Sequence, residues 1–147
     1  MRDMDRADIS IEDLIPHRGR MRLIHEILEV DEHRAVTRAV VTEEWPFFDG
    51  KSVNPIVLVE LVAQTAGVAN GWERIKTQGM DSEKKGWLVG IKKTSFFIDA
   101  ILVHTEIITS CENRFKYDNF REVLGWNRIG PNIVAEIALQ VFQADRD

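Results

Sequence analysis

From Asn54 to Gly71 the chain carries a single charged residue, Glu60, in a run that is otherwise apolar or small and neutral. A carboxylate in such surroundings must be paired or protonated, because burying it bare costs on the order of several kcal/mol. Either condition equips it to hold a proton or to hand one over. Glu60, Gln64, Gly67 and Gly71 follow one another at i, i+4, i+7 and i+11, which on a helix places a carboxylate, an amide and two glycines along one stripe. The two glycines let another segment approach closely. One reading is a helix–helix contact with Glu60 hydrogen-bonded in place; the other is the wall of a substrate channel, with Gln64 holding Glu60. The second is preferred because Glu60 is the lone charge of the run. Just upstream, Asp49 could orient a water or a hydroxyl, although Asp49-Gly50 is also an ordinary turn pair and Trp45, Phe47 and Phe48 suit a core.

These residues need a helix to position them. Asn54 is a favoured N-cap, Pro55 suits the first helical position, and no proline interrupts the segment from Ile56 to Ala69. The helix is expected to continue through Trp72 and Ile75 to Gln78, before Gly79, with its last turns exposed. Upstream, residues 1–10 read as a flexible charged tail and residues 11–147 as one domain. Ser10 can cap a single turn ending before Pro16, and Pro16-His17-Arg18-Gly19 is a turn. Met21–Val30 and Ala35–Thr42 form an expected hairpin around Asp31-Glu32-His33-Arg34. After a polar loop at Asp81–Lys85, strands are expected at Trp87–Ile98, Val103–Phe115, Phe120–Arg128 and Ile133–Gln143. In the last of these, Ala135, Ile137, Leu139 and Val141 alternate with Glu136 and Gln140, giving one buried and one wet face.

Two strands, one long helix and four strands make an α+β plan, a helix packed on a curved antiparallel sheet. A helix apolar on every side needs cover on every side. One concave sheet is not expected to supply it, so a second subunit is expected to, as a homodimer or a higher homo-oligomer.

Composition narrows the function. The 147 residues, 44% hydrophobic and 29% charged, fit one core, and a net charge of −5 with a pI near 5.4 argues against a nucleic-acid surface. A single cysteine, Cys111, excludes an intramolecular disulfide and a CxxC knuckle and fits a reducing compartment, the cytoplasm. The N-terminus is too charged for a signal peptide, and the apolar run is broken by Glu60 and Gln64, so no membrane span is expected. Arg18, Arg20 and Arg22 with Lys92 and Lys93 could form a positive patch, a solvated face being the simpler reading. No pair of histidines has metal spacing, and Gly86-x-x-x-Gly90 has the wrong spacing for a phosphate loop, so neither a metal nor any other cofactor is expected.

The chain resembles the hotdog-fold 3-hydroxyacyl-acyl-carrier-protein dehydratases over roughly Ile11 to Gln143. The resemblance rests on Leu14-Ile15-Pro16-His17-Arg18, Pro46-Phe47-Phe48-Asp49-Gly50, Glu60-Leu61-Val62-Ala63-Gln64, Val89-Gly90-Ile91 and Val134-Ala135-Glu136, in that order. The short loop with Phe47-Phe48-Asp49 is most similar to the branch associated with aryl-polyene-type pigment synthesis. The resemblance implies a curved antiparallel sheet of about five to six strands wrapped around one long central helix, with dimers carrying two sites. It also implies a lyase acting on 3-hydroxyacyl thioesters, on acyl carrier protein or coenzyme A, in fatty acid or polyene synthesis. In the main family a histidine follows the glycine of the Phe-Phe-x-Gly turn; here Gly50 is followed by Lys51.

Dehydration needs a base for the α-proton, an acid for the departing hydroxyl and donors for charge on the thioester oxygen. Backbone N–H groups at the helix start, near Ile56 or Val57, are expected to polarise the carbonyl. Glu60 is the candidate acid or acid–base, its apolar setting expected to raise its pKa. His17, in a turn that the resemblance places near the substrate, is the candidate replacement for the absent histidine, against a surface or capping role. Phe48, Asp49, Gly50 and Gln64 complete the substrate-binding candidates. His25 reads as an outward strand residue, and His33 and His104 lack partner motifs. Two rivals stand beside dehydration: a thioesterase of the same fold, in which the carboxylate activates water, and a non-catalytic acyl-carrier-protein-binding partner subunit, which Lys51 favours.

Overall fold

The computed structural model describes residues 9–80 and 87–143. The first eight residues of the expected tail and the expected loop at Asp81–Lys85 lie outside the described residues. Ile9 is buried, and Ser10 caps a short helix α1, Ile11–Leu14, through reciprocal bonds with Asp13. A single 3₁₀ turn follows at Gly19–Met21.

Six strands form one sheet, every pair antiparallel: β1 Glu26–Val30, β2 Arg34–Val40, β4 Trp87–Phe96, β6 Glu106–Tyr117, β7 Phe120–Ile129 and β8 Asn132–Gln143, in the order β1-β2-β6-β7-β8-β4. The expected hairpin and the four expected later strands are all present. Two short strands escaped the sequence reading, β3 Ser52–Val53 and β5 Ile101–Leu102, which pair with each other. At two residues each, they are too short to show the period-2 alternation that marks a strand.

The inner face of the sheet is written in that alternation. Ala35, Thr37 and Ala39 on β2, Ile107, Thr109 and Cys111 on β6, Val123 and Asn127 on β7, and Ala135, Ile137, Leu139 and Val141 on β8 are all buried. They face α2, Val57–Gln78, a 22-residue helix lying across the sheet. Each large apolar side chain fully buried here contributes about 1.5–3 kcal/mol. Gly125 sits where a Cβ would run into Val62, so a glycine in β7 lets the helix come close. The polar inner-face residues are bonded: Thr37 to Thr65 at 2.8 Å between hydroxyls, and Asn127 Nδ2 donating to Thr109 at 2.9 Å.

The helix start differs slightly from expectation. Asn54 caps a tight turn that precedes α2, its side chain accepting from Ile56 N–H at 2.9 Å and its carbonyl from Val57 N–H at 3.1 Å. The helix stops at Gly79, whose φ of 91° no β-carbon residue adopts cheaply and whose N–H closes on Ile75 O. Trp45 is core, as expected, but Phe47 is 58% exposed at a φ of 66°. The turn aims its ring outward.

Contrary to expectation, most of the surface of α2 needs no second subunit for cover. One side packs on the sheet, and another lies under the chain's own N-terminal segment, whose Ile9, Leu14, Ile15, Leu23 and Ile24 are buried. Uncovered apolar surface instead lies at the sheet edge, where Val89 and Ile91 of β4 are exposed.

Candidate active site

The stripe Glu60, Gln64, Gly67, Gly71 is covered by the segment Leu14–Leu23. A Cβ on Gly71 would collide with the Leu14 carbonyl, and one on Gly67 would stand 3.0 Å from Ile15 Cγ2. Both glycines are therefore required by a neighbouring backbone and side chain, not by a second helix. At the next step of the stripe, Gln64 is fully buried and uses both ends of its amide. Its Oε1 accepts from Leu23 N–H at 3.0 Å, and its Nε2 donates to Met21 O at 2.7 Å. Gln64 thus pins the far side of the turn that carries His17, and it has no exposed surface to offer a substrate.

Arg18 staples the same turn from outside. Its guanidinium donates to the carbonyls of Ile15 at 2.8 Å, His17 at 2.9 Å and Glu12 at 2.8 Å. The sequence places Arg18 in this turn and in a charged patch; its reach to the three carbonyls becomes visible only once the turn is formed. Arg74 ties α1 to α2 in the same manner, donating to Asp13 O at 2.7 Å.

With the turn so held, His17 Nε2 lies 3.3 Å from Glu60 Oε1, and Gln64 Nε2 donates to the same oxygen at 3.0 Å. The side chains of His17 and Glu60 are 30% and 40% exposed, so the pair lies at the surface of the core, within reach of a ligand. Among the described residues no donor reaches Glu60 Oε2. The Nδ1 atom of His17 is buried and has no hydrogen-bond partner among the described residues.

The electrostatics of Glu60 run opposite to the sequence expectation. Burial pushes its carboxyl up, but the hydrogen bonds from His17 and Gln64 and the charge of His17 together outweigh burial, and the group is held below its ordinary pKa. Two donors on one oxygen stabilise the anion. At neutral pH the site therefore presents a carboxylate with one oxygen fixed and the other free, an arrangement suited to taking a proton from a carbon or a water and returning it.

The helix start does not supply the expected carbonyl donors. The N–H groups of Ile56, Val57, Leu58 and Val59 bond to Asn54 Oδ1, Asn54 O, Pro55 O and Ile56 O, and Val57 is fully buried. The tight turn ahead of α2 has consumed them. Asp49 serves its own turn, its Oδ1 accepting from Lys51 N–H at 2.9 Å and Ser52 N–H at 2.8 Å; these two bonds hold its carboxyl low despite the small upward push of desolvation. Phe48 is half-buried against the core, and Gly50 takes a φ of 96° in the exposed turn. Among the described residues no hydrogen bond or ion pair links Phe48, Asp49 or Gly50 to Glu60.

The remaining candidates disperse. Arg18 and Arg22 lie near Glu12, and Lys92 pairs with Glu122 at 2.9 Å, so the expected positive patch is largely neutralised. His25 Nδ1 accepts from Val40 N–H, a structural role in the hairpin. Among the described residues no group of three or more His, Cys, Asp or Glu side chains is placed to hold a metal, and no helix is long and apolar enough to cross a membrane.

Comparison with known proteins gives a consistent picture. The family described as ApeP-like, ApeP dehydratase, matches residues 9–147. The chain is similar to the 3-hydroxyacyl-[acyl-carrier-protein] dehydratase FabZ of Streptococcus sanguinis, 45% identical over 64 residues that make up 40% of this chain and 46% of that protein. With the protein of the same name from Streptococcus gordonii the identity is 44% over 64 residues, with the same shares. The chain thus matches these curated relatives over about half of their length. Among solved structures, the dehydratase heterocomplex ApeI:P from Xenorhabdus doucetiae has a TM-score of 0.79 at 16% identity, covering 94% of this chain and 93% of that one. The HP0420-homologue from Helicobacter felis has a TM-score of 0.68 at 14% identity, covering 91% and 88%. At these identities the structural likeness speaks for the fold, a six-stranded antiparallel sheet on one long helix, which is the hotdog arrangement.

Proposed function

Because the chain belongs to the ApeP-like dehydratase family, we propose that it is a lyase that removes water from 3-hydroxyacyl thioesters carried by acyl carrier protein or coenzyme A, in fatty acid or polyene synthesis. The observation that carries this reading is Glu60, ionised, half-exposed and held through one oxygen by His17 and Gln64, the lone charge in the first four turns of α2. In this reading Glu60 handles the protons and His17 is its hydrogen-bond partner, filling from the N-terminal turn the place left empty by Lys51. Phe48, Asp49 and Gly50 form the turn beside which the acyl carrier's arm enters. The donors for the thioester oxygen come from outside the first turn of α2.

A second hotdog subunit completes the assembly in this reading. The support is the exposed Val89 and Ile91 on the open edge strand β4, together with the heterocomplex formed by the structural relative. A homodimer and a pairing with a different hotdog subunit both fit that edge, and the cytoplasm, where acyl carriers are made, is the proposed location. The heterocomplex also favours one alternative, a chain that binds carrier protein and lends half a site to an active partner.

Incubating the purified protein with 3-hydroxyacyl and saturated acyl thioesters, on carrier protein and on coenzyme A, and analysing products by mass spectrometry tests the reading. Loss of 18 mass units, the mass of water, from the 3-hydroxyacyl substrates is the expected result. Release of free acid points to a thioesterase, and binding without turnover that is rescued by an added hotdog subunit points to the partner role.

A further inference from the structure

We propose that Phe47 is a substrate-binding residue whose ring holds the pantoyl portion of the thioester's pantetheine arm as the arm runs outward from Glu60 over Ile56. This rests on the dehydratase reading above and assigns the path of the arm within it.

The first observation is the direction left open along α2. Ile56, Val59, Glu60 and Ala63 follow one another at i, i+3, i+4 and i+7, so they share one face. Ile56 is 39% exposed and the other three are partly exposed, whereas Val57, Leu58, Leu61, Val62 and Gln64 beside them are buried. Downstream this strip closes, because Ile15 and Leu14 lie on Gly67 and Gly71. A thioester that presents its reacting carbons to Glu60 and follows the helix therefore reaches solvent upstream, across Ile56.

Phe47 stands at the end of that path. Its carbonyl accepts from Asn54 N–H at 3.1 Å, and the Asn54 side chain accepts from Ile56 N–H at 2.9 Å. The helical rise from Asn54 to Glu60 is about 10 Å. An extended cysteamine and β-alanine pair spans about the same length. The unit of the arm that then meets the ring is the pantoyl group, whose two methyls and flanking amides suit an aromatic face.

The second observation is the backbone. Phe47 takes a φ of 66°, a left-handed conformation unfavourable to a side chain of this bulk and open to glycine. The turn imposes it: Phe48 bridges to Val53, Asp49 N–H donates to Ser52 O at 3.0 Å, and Asp49 Oδ1 accepts from the N–H groups of Lys51 and Ser52. At 58% exposure the ring gains little from the core of its own chain in return. A bulky residue held in this way beside a candidate active site fits a contact made with a ligand.

The test compares wild type, Phe47→Ala and Phe47→Gly, each full-length and purified with any subunit that accompanies it. The substrates carry one 3-hydroxyacyl group on three carriers: N-acetylcysteamine, which lacks the pantoyl unit, free pantetheine, and acyl carrier protein. For Phe47→Ala, kcat/KM is expected to fall about tenfold on pantetheine and on carrier protein, mainly through KM, and to stay within about twofold on N-acetylcysteamine. Phe47→Gly, with the backbone relieved and the ring absent, should show the same pattern. Recovery of the wild-type KM in Phe47→Gly overturns the proposal, since the backbone and not the ring would then be responsible. An equal loss on all three substrates, with or without a change in assembly size, assigns Phe47 to packing or to a partner subunit and overturns it. So does a loss confined to carrier protein, which places the contact on the carrier's surface, and so does no loss at all. If the wild type dehydrates none of the substrates, the dehydratase reading fails and binding decides Phe47 separately. An alkyl-pantetheine thioether titrated calorimetrically should bind Phe47→Ala about tenfold more weakly than wild type; equal affinity, or no binding to wild type, overturns the proposal.

Discussion

Gln64 and Met21 are 43 residues apart in sequence and are joined by a 2.7 Å hydrogen bond, and through that bond the same amide that holds Glu60 also fixes the turn bearing His17. The candidate site therefore has one hub, and the hub is buried.

Replacing that hub is the sharpest structural test. Gln64→Leu leaves the buried Leu23 N–H without its acceptor, a loss worth about 1–3 kcal/mol, and removes the donor to the part-buried Met21 carbonyl. Urea denaturation should show a loss of roughly 1–3 kcal/mol, and kcat should fall because the donor that holds Glu60 Oε1 is gone.

The lowered pKa of Glu60 makes stability depend on pH. Because its folded-state value lies below the unfolded one, Glu60 contributes stability that is present above the unfolded value, 4.5, and is lost as pH falls through the folded value. Urea midpoints measured for wild type and Glu60→Gln between pH 7 and pH 3 should converge toward the acid end, the wild type losing its advantage below pH 4.5.

The two stripe glycines should differ. Gly71→Ala drives a Cβ into the Leu14 backbone, which cannot yield without moving α1, and should cost about 1–3 kcal/mol together with activity. Gly67→Ala meets only the Ile15 methyl at 3.0 Å, a side chain able to give, and should cost less. Thermal melts and steady-state rates on both variants measure the contrast.

Arg18→Lys should not preserve the His17 turn. A point charge on a flexible stem cannot donate at once to the carbonyls of Ile15, His17 and Glu12, as the planar fork does. The expected outcome is a drop of about 1 kcal/mol in stability and a kcat below wild type with the net charge unchanged.

Cys111 is buried on the inner face of β6, and burial pushes its thiol up to about 12. The thiolate is the reactive form, so a disulfide-exchange reagent at pH 8 should leave Cys111 untouched in the native protein and label it promptly in denaturant. Rapid labelling without denaturant would contradict the packing of β6 on α2.

The sequence alone determined the long elements and the fold class, though not the two-residue strands β3 and β5. Apolar and β-branched runs marked the strands of the six-stranded sheet, a cap followed by an unbroken apolar run marked the long helix, and the order of elements specified an α+β plan. Weak motifs from Leu14 to Glu136 then pointed to the hotdog dehydratases, as the match to the ApeP-like family bears out. Glu60 was legible for a simple physical reason: a lone charge in an apolar run must be accounted for wherever the chain folds. What only the tertiary structure decided is what faces it. The segment that covers the stripe arrives from about forty residues away, and no local pattern encodes which backbone will lie on Gly67 and Gly71. The sign of the shift on Glu60 reversed for the same reason, since the apolar neighbours are visible in sequence whereas the His17 and Gln64 donors converge only through folding. The helix-start amides likewise looked available until Asn54 and Pro55 closed a tighter turn and took them. Burial follows from residue type, but hydrogen-bond partners follow from geometry, and a proton's place depends on the partners.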